Sequence, residues 1–502
     1  MEAFLTALAG MADPAILLTL LLSVVIGLLI GAIPGLTVNI AVALAVPLAI
    51  FMPTAQALVM LIGLYGAGIF GGSISAILLN APGTPASAAT VFDGFPMAKR
   101  GEATRALRIS LIASVFGSLF SIVLLVLLAP QLADFALRFG PAEIAALLFF
   151  TFTIIGVLSG DSMAKGLLSA AIGMVLATIG SDPMLGTPRF TFGLTSLLDG
   201  LTYVPLLVGL FALAEIIDEA AKGFPRSTQK VDLGHEDRVR NRVSLADLKK
   251  ISFPMLRASS FGAFIGILPG IGATIASFMA YADAKRSARD PENFGKGDIR
   301  GVAASESANN AVVGATFIPT LALGIPGDAV TAILLGALVI QGVTPGPLIF
   351  INAPDVVYTI YIVLFCATVL MGIFAFFAIR PLAMTLRIPK IYLMPCVALM
   401  CVAGSYVVRN NILDLFVMLG AGVLGFLFNR TGVPVAPLLI TFIITAPFEE
   451  AVRQALTQSE GSLMIFAESP IAAGLILLAI ALMGFTFRAE MRRRSARRHQ
   501  PS

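Results

Sequence analysis

Apolar runs separated by charged or Pro/Gly breaks set the framework of this 502-residue chain. They occupy residues 15–33, 36–50, 57–80, 109–129, 142–159, 164–180 and 198–217, then 256–267, 270–282, 302–324, 328–340, 356–379, 391–407, 412–428, 433–447 and 470–487. Several reach the roughly 20 residues that a helix needs to cross a bilayer, but 256–267 and 270–282 do not. Those two meet at Pro269 and Gly270, where proline removes a backbone donor and obstructs the helix. Broken backbone is not tolerated against lipid, so such a break belongs in a protein-lined cavity. The pattern predicts an all-α polytopic membrane protein of about 12 segments, some of them re-entrant.

Composition narrows the function. Hydrophobic residues make up 58% of the chain and charged ones 12%, with a mean hydropathy of +0.94. Soluble domains carry roughly a quarter charged residues, so a soluble enzyme of this size would lack its polar surface. The two histidines, His235 and His499, lie in charged segments outside the apolar runs. That excludes histidine-ligated zinc, a Ser-His dyad and an intramembrane HExxH protease. Cys366, Cys396 and Cys401 sit inside apolar runs without CxxC spacing and read as small buried hydrophobes. There is no GxxxxGK[ST] loop and no DDxxD run, so the chain reads as neither an ATP motor nor an enzyme. The N-terminus lacks the basic region of a cleavable signal, the first basic residue being Lys99, and reads as mature protein.

Charge supplies the topology. The stretch 218–250 holds eight basic residues (Lys222, Arg226, Lys230, Arg238, Arg240, Arg242, Lys249 and Lys250), and the tail adds Arg488, Arg492, Arg493, Arg494, Arg497 and Arg498. In a membrane protein such clusters mark cytoplasmic loops rather than a nucleic-acid footprint. The expected organisation is a first membrane repeat over 1–217 and a cytoplasmic linker over 218–252. A second repeat follows over 253–447, then an outer loop and final span over 448–487 and a basic cytoplasmic tail over 488–502. The N-terminus falls outside. Arg189, Arg409 and Arg453 then stand as isolated basic residues on the outer side, and Asp161, Asp182, Asp199 and Asp414 read as solvated caps near span ends.

The halves resemble each other. GLLIGAIPGLTVNIA at 27–41 aligns without a gap on GAFIGILPGIGATIA at 262–276, and LLNAPGTPAS around Pro82 and Gly83 is answered by LALGIPGDAV around Pro326 and Gly327. Loop 51–56 has no basic residue, whereas its counterpart 283–300 has five; loop 99–108 has four, whereas its counterpart 341–355 has none. Equivalent loops therefore face opposite sides. That is the signature of an inverted-topology repeat, which builds midplane sites from discontinuous helices.

Three constellations carry candidate chemistry. At the breaks IPG (33–35) and LPG (268–270), unwound carbonyls of Gly35 and Gly270 with Thr37, Asn39 and Thr274 are hard-oxygen ligands suited to Na+, or else the breaks only shape packing. At NAPGTP (80–85) and GIPGD (324–328), each Pro-Gly pair ends one half-helix and starts another, whose free N–H groups suit an anion. Asp328 either N-caps its helix or helps hold a cation. The run ASESANNA (304–311) brings Glu306, Asn309 and Asn310 to the start of an apolar segment, where polar groups are costly unless paired or facing water. They read as substrate contacts or as interhelical glue, and an interfacial place for Glu306 would keep its cost small. No Arg or Lys lies in these motifs, which favours balancing an anion with a co-bound cation.

The two long patterns GLLIGAIPGLTVNIAVALAVPL and YGAGIFGGSISAILLNAPGTPASAATVFDGFPMAKRG, with GILPGIGATIASFMAY, ASESANNAVVGATFIPTLALGIPGDAVTAILLGAL and IQGVTPGP in the second half, resemble the large membrane subunit of tripartite tricarboxylate transporters, the TctA-type family. The resemblance covers most of 15–480. It implies a bacterial inner-membrane secondary transporter working with a small four-span membrane subunit and a periplasmic solute-binding protein, importing citrate or another carboxylate with Na+ or H+ as coupling ion. By motif position it implies Asn80, Gly83, Thr84, Asn309, Asn310, Gly327 and Asp328 as substrate or ion residues. From the chemistry above, the expected substrate set is Asn80, Gly83, Thr84, Asn309, Asn310 and Gly327. The expected cation set is Gly35, Thr37, Asn39, Gly270, Thr274 and Asp328. A stand-alone organic-anion carrier or passive anion channel is the competing reading. By analogy with other inverted-repeat carriers, an elevator-like sliding of one unit is the expected motion.

Overall fold

The computed structural model describes residues 2–158, 162–223, 241–386 and 389–498. Asp161, Arg226, Lys230, His235, Arg238, Arg240, Arg387 and His499 lie outside the described residues. The first half runs through α1 (Glu2–Gly10), α2 (Pro14–Ala32), α3 (Val38–Ala49), α4 (Thr54–Leu79), α5 (Ala88–Lys99) and α6 (Ala103–Ala136). It continues through α7 (Pro141–Leu158), α8 (Met163–Ala177), a two-residue ladder joining Gly180–Ser181 to Pro188–Arg189, α9 (Tyr203–Val208) and α10 (Ala214–Lys222). The second half comprises α11 (Leu245–Ile267), α12 (Gly272–Ser287), α13 (Ile299–Ala315), α14 (Phe317–Leu323), α15 (Ala329–Ile340), α16 (Ile349–Asn352) and α17 (Pro354–Thr385). It ends with α18 (Lys390–Val407), α19 (Ile412–Thr431), α20 (Val435–Gln458), α21 (Ile465–Glu468) and α22 (Pro470–Arg498).

The expected all-α class is what the structure shows. Among the described residues, α2, α4, α6, α17, α18, α19, α20 and α22 are long and apolar enough to cross a membrane, and α3, α7, α8 and α15 are shorter apolar helices. Polar residues cap the starts of several helices. The Asp13 carboxylate accepts from the Ala15 N–H at 2.8 Å ahead of Pro14, and Ser244 and Asp247 form a reciprocal capping box on α11.

Element boundaries depart from the apolar runs where amphipathic turns extend a helix. α11 begins at Leu245, eleven residues before the run at 256, because its first turns bury Ile251 and Met255 while carrying Lys249, Lys250 and Arg257. Both ends of the hydrophilic segment 218–252 are accordingly helical. The run 302–324 divides into α13 and α14 just before Pro319, whose ring obstructs the carbonyl of Ala315. α9 and α10 are joined by one π turn, Gly209–Leu213.

Burial sorts the helices into centre and periphery. α4 is almost wholly enclosed, whereas α22 buries little of its apolar span beyond Ala472 and Ala479. From Gly301 to Ala315 every residue of α13 is buried. α2 runs alongside α4, and α11 alongside α13, through close backbone approaches at small residues. A Cβ on Gly31 would collide with the Gly68 backbone, and one on Gly262 with the Ala308 backbone. α13 also lies against α6, where Gly314 N–H donates to Ser121 Oγ at 3.2 Å.

Several sequence expectations need correction. Glu306 is not interfacial but completely buried on α13. Arg189 and Arg453 are not isolated: Arg189 reaches Glu449 Oε1 at 2.7 Å, and Arg453 reaches Asp182 Oδ2 at 2.8 Å. Arg409 pairs with Asp414 at 2.9 Å, and Asp414 is itself fully buried and also accepts from Thr202 Oγ1. Asp182 and Asp414 are thus enclosed pair members rather than solvated caps. Cys401 is buried as expected, but Cys366 is half-buried and Cys396 exposed.

Candidate functional site

The four Pro-Gly breaks are built in two matching pairs. Ile33 (φ −79°, ψ 117°) and Leu268 (φ −86°, ψ 118°) end α2 and α11 in extended backbone, as the residue before a proline prefers. Gly35 and Gly270 follow at φ +90° and +80°, a left-handed turn that glycine adopts without strain. Asn80 and Gly324 then cap α4 and α14 in the left-handed region, at φ 58° and 69°.

Within each half the second break packs against the first. Gly83 N–H donates to the Gly72 carbonyl of α4 at 3.1 Å, and its Cα faces the Gly31 carbonyl, where no side chain would fit. In the second half Gly270 N–H donates directly to the Gly327 carbonyl at 2.8 Å, and Gly327 lies against the Thr316 side chain. The halves meet at Asp328. One carboxylate oxygen accepts from Tyr65 OH of α4 at 2.7 Å, and the other takes the Thr331 N–H and hydroxyl, both at 2.8 Å. The cap alternative for Asp328 is therefore realised, with an added bond to Tyr65.

A second polar assembly surrounds α13. Glu306 accepts hydrogen bonds from Thr90 Oγ1 of α5 and, at 3.1 Å, from Ser114 Oγ of α6. Ser114 in turn receives the Asn310 amide at 2.9 Å, and Ser305 pairs with Thr90 at 3.1 Å. Ser73 of α4 and Ser110 of α6 lie next to the same carboxylate. Ser73 Oγ contacts Ser87 Oγ at 3.5 Å, and Ser87 bonds Thr84 Oγ1 at 2.9 Å. A continuous buried chain of hydroxyls thus joins the first-half Pro-Gly loop to Glu306 and Asn310.

Thr84 and Asn310 are bonded into this assembly and Asn309 lies buried next to Asn310 on α13, while Gly270, Gly327 and Asp328 gather at the Tyr65 contact. The side chains of the other expected site residues are not bonded into either group. Asn80 is exposed, and Thr37, Asn39 and Thr274 are half-buried. Gly35 faces Lys390, so that a Cβ there would lie 2.7 Å from its Nζ, and Lys390 pairs with Glu219 at 2.6 Å. A lysine from the start of α18 therefore approaches a motif that carries none of its own. Sequence reading passed over Tyr65, Ser73, Ser87, Thr90, Ser110, Ser114 and Thr316. The four-residue spacing of Ser110, Ser114 and Ser118 was the available signal, since it places three hydroxyls on one helical face.

A cavity of about 660 Å³ reaches Gly324 from the side of the short ladder, lined by Arg189, Tyr203, Pro345, Phe442 and Glu449 among others. At its rim the Leu185 amide, opposed by burial and joined by Met184 N–H and Arg453, holds the Asp182 carboxyl below the ordinary range.

The chain matches the family model described as the tripartite tricarboxylate transporter TctA family over residues 17–440. It is 37% identical over 436 residues to an uncharacterized 52.8 kDa protein in the TAR-I ttuC' 3' region of Agrobacterium vitis, covering 86% of this chain and 85% of that one. It is also 37% identical over 219 residues to an uncharacterized protein in the TAR-II ttuC' 3' region of the same organism, covering 44% of this chain and 90% of that one. No solved structure matches it.

Proposed function

This chain belongs to the tripartite tricarboxylate transporter TctA family, and from that premise we propose that it carries citrate-like or related carboxylates into the cell by cation symport, Na+ or H+. It does so as the large subunit beside a small membrane subunit and a periplasmic solute-binding protein. The setting is the bacterial inner membrane, with the N-terminus outside and the C-terminus in the cytoplasm. Membership of a transporter family, rather than an enzyme family, agrees with a chain whose polar chemistry is packed between helices.

The observation that carries the reading is the assembly of paired helix breaks at the contact between α4 and α13–α15. In an inverted repeat such breaks hold substrate on half-helix termini. The positive end of α15 and the Thr84 hydroxyl are the groups placed to meet a carboxylate. The unpartnered Nδ2 of Asn309 adds an enclosed amide donor. The 660 Å³ cavity ending at Gly324 supplies a route for an anion past Arg189.

Charge supports the coupling. A di- or tricarboxylate cannot be buried against amides and dipoles alone without a compensating positive charge. At the Gly35–Asn39 turn a cation would meet the Lys390 ammonium together with the Glu219 and Glu215 carboxylates, all of which lie beside Gly35.

The test is uptake of labelled citrate and other carboxylates into proteoliposomes holding this chain and its small-subunit partner. A Na+ gradient and the cognate binding protein are each present or absent. Uptake requiring both supports the proposal. Uptake needing neither identifies a stand-alone carrier or channel.

A further inference from the structure

The oxygens around Glu306 are more numerous than the protein's own hydrogen bonds use. Asn309 is fully buried with neither Oδ1 nor Nδ2 bonded, Asn310 Oδ1 is likewise unpartnered, and so is the hydroxyl of Ser110, which lies beside the Glu306 carboxylate. Buried polar atoms are paired in the great majority of cases, and each orphan costs on the order of 1–3 kcal/mol. Asn309 and Asn310 follow Glu306 by three and four residues, which puts all three on one face of α13. Glu306 meets hydroxyl groups at Thr90 and Ser114, and none of the ion pairs among the described residues includes it.

We infer that these buried groups bind one small alkali cation of Na+ size, ligated by the Glu306 carboxylate with oxygens of Asn309, Asn310 and Ser110. The ligand class follows from the donor set. One carboxylate with amide and hydroxyl oxygens is a hard, singly charged set, unsuited to soft metals and short of the several carboxylates that favour Ca2+. A proton would neutralise Glu306 equally well, but it needs one acceptor and would leave three orphaned oxygens in place. Interhelical glue accounts for the bonds to Thr90 and Ser114 but not for the three orphaned oxygens.

The site's position gives it a role that rests on the transport reading above. Ser73, Ser87 and Thr84 connect the carboxylate to the Pro-Gly loop at Gly83. A cation drawing on Glu306 reorients Ser73 and, through Ser87, the Thr84 hydroxyl offered to a carboxylate. Cation and anion sites then favour each other's occupancy, as linkage requires.

The test is equilibrium binding of 22Na+ to the purified full-length chain in detergent, with no carboxylate and no partner subunit present. It therefore reports on this site even if the transport reading fails, which uptake assays decide separately. Saturable binding, displaced by excess unlabelled Na+, is expected in the native protein and abolished in Glu306→Gln. Because Glu306→Gln could fail to fold, Ser110→Ala carries equal weight: the Ser110 hydroxyl has the Glu306 carboxylate beside it, and its removal leaves the helix packing in place, so a merely structural role predicts unchanged Na+ binding. At least fivefold weaker 22Na+ binding is expected from Ser110→Ala, with an unaltered size-exclusion profile. No saturable binding to the native chain, or undiminished binding in Ser110→Ala, overturns the assignment.

Discussion

The N–H of Gly270 donates to the carbonyl of Gly327 at 2.8 Å, tying together two helix breaks that are 57 residues apart in sequence. Both glycines are required by space or conformation. Gly270 has φ +80°, and a Cβ on it would lie 2.8 Å from Ile155 Cγ1. A non-glycine residue in the left-handed region costs about 1–2 kcal/mol before any collision is counted. Gly270→Ala is expected to lower carboxylate uptake at least tenfold at equal membrane abundance. Gly272→Ala, at φ +75° but in open space, should cost markedly less. Equal uptake by the two variants would show that the contact with Ile155 does not matter.

Asp328 offers a clean separation of cap from charge. Asparagine caps helices about as well as aspartate, so Asp328→Asn should keep the Thr331 amide bond and change thermal stability in detergent little. Asp328→Ala loses the cap and strands Tyr65 OH, an expected cost of about 2–3 kcal/mol. Tyr65→Phe should fall between them.

At the polar start of α11, the Asp247 carboxyl ties α11 to α6 through Arg105 Nη2 at 2.7 Å and accepts the Ser244 N–H at 3.0 Å. Burial pushes its pKa up, but the Ser244 amide and the Arg105 guanidinium outweigh this and hold it below the ordinary carboxylate range. A depressed folded-state pKa means stabilisation that is full above the unfolded value, near 4, and lost as pH falls through the folded one. The stability gap between native protein and Asp247→Asn should be about 1 kcal/mol at pH 7 and close only below about pH 4. Melting curves across pH 3–8 check this; a gap that changes between pH 6 and 8 would contradict it.

Asp414 is a stronger test of the pairing found at the start of α19. It is fully buried, with Arg409 Nη2 at 2.9 Å and Thr202 Oγ1 at 2.7 Å on the same oxygen. Removing one partner of an enclosed pair leaves the other uncompensated. Because Arg409 retains some exposure, Asp414→Ala should destabilise by about 2 kcal/mol rather than the full 3–5, read from the shift in melting temperature. A solvated cap would cost about 1 kcal/mol.

The membrane-protein class and the four Pro-Gly breaks were legible because proline and glycine impose local backbone rules that tertiary context does not override. Ile33 and Leu268 show this, adopting nearly the same dihedrals at aligned positions. The start of α11 was not legible, because its first turns are held by Ile251 and Met255 on one face of a charged stretch. The partners of Glu306 were hidden for a different reason. Thr90, Ser110 and Ser114 are ordinary small residues in apolar helices, and only the packing of α5 and α6 on α13 turns them toward one carboxylate. Long-range pairs such as Arg453 with Asp182 likewise join segments 271 residues apart, which no local pattern signals.

The central claim, that the Pro-Gly loop at Gly83 and Thr84 faces the transported carboxylate, is tested most directly by substrate protection. Thr84→Cys, in a chain with Cys366, Cys396 and Cys401 replaced by Ser or Ala, would be labelled with a small maleimide in proteoliposomes with and without saturating carboxylate. The account predicts at least fivefold slower labelling with substrate, and no protection for a control cysteine on the exposed face of α22. Labelling of Thr84→Cys at the same rate with and without a carboxylate that the same proteoliposomes demonstrably transport would contradict it.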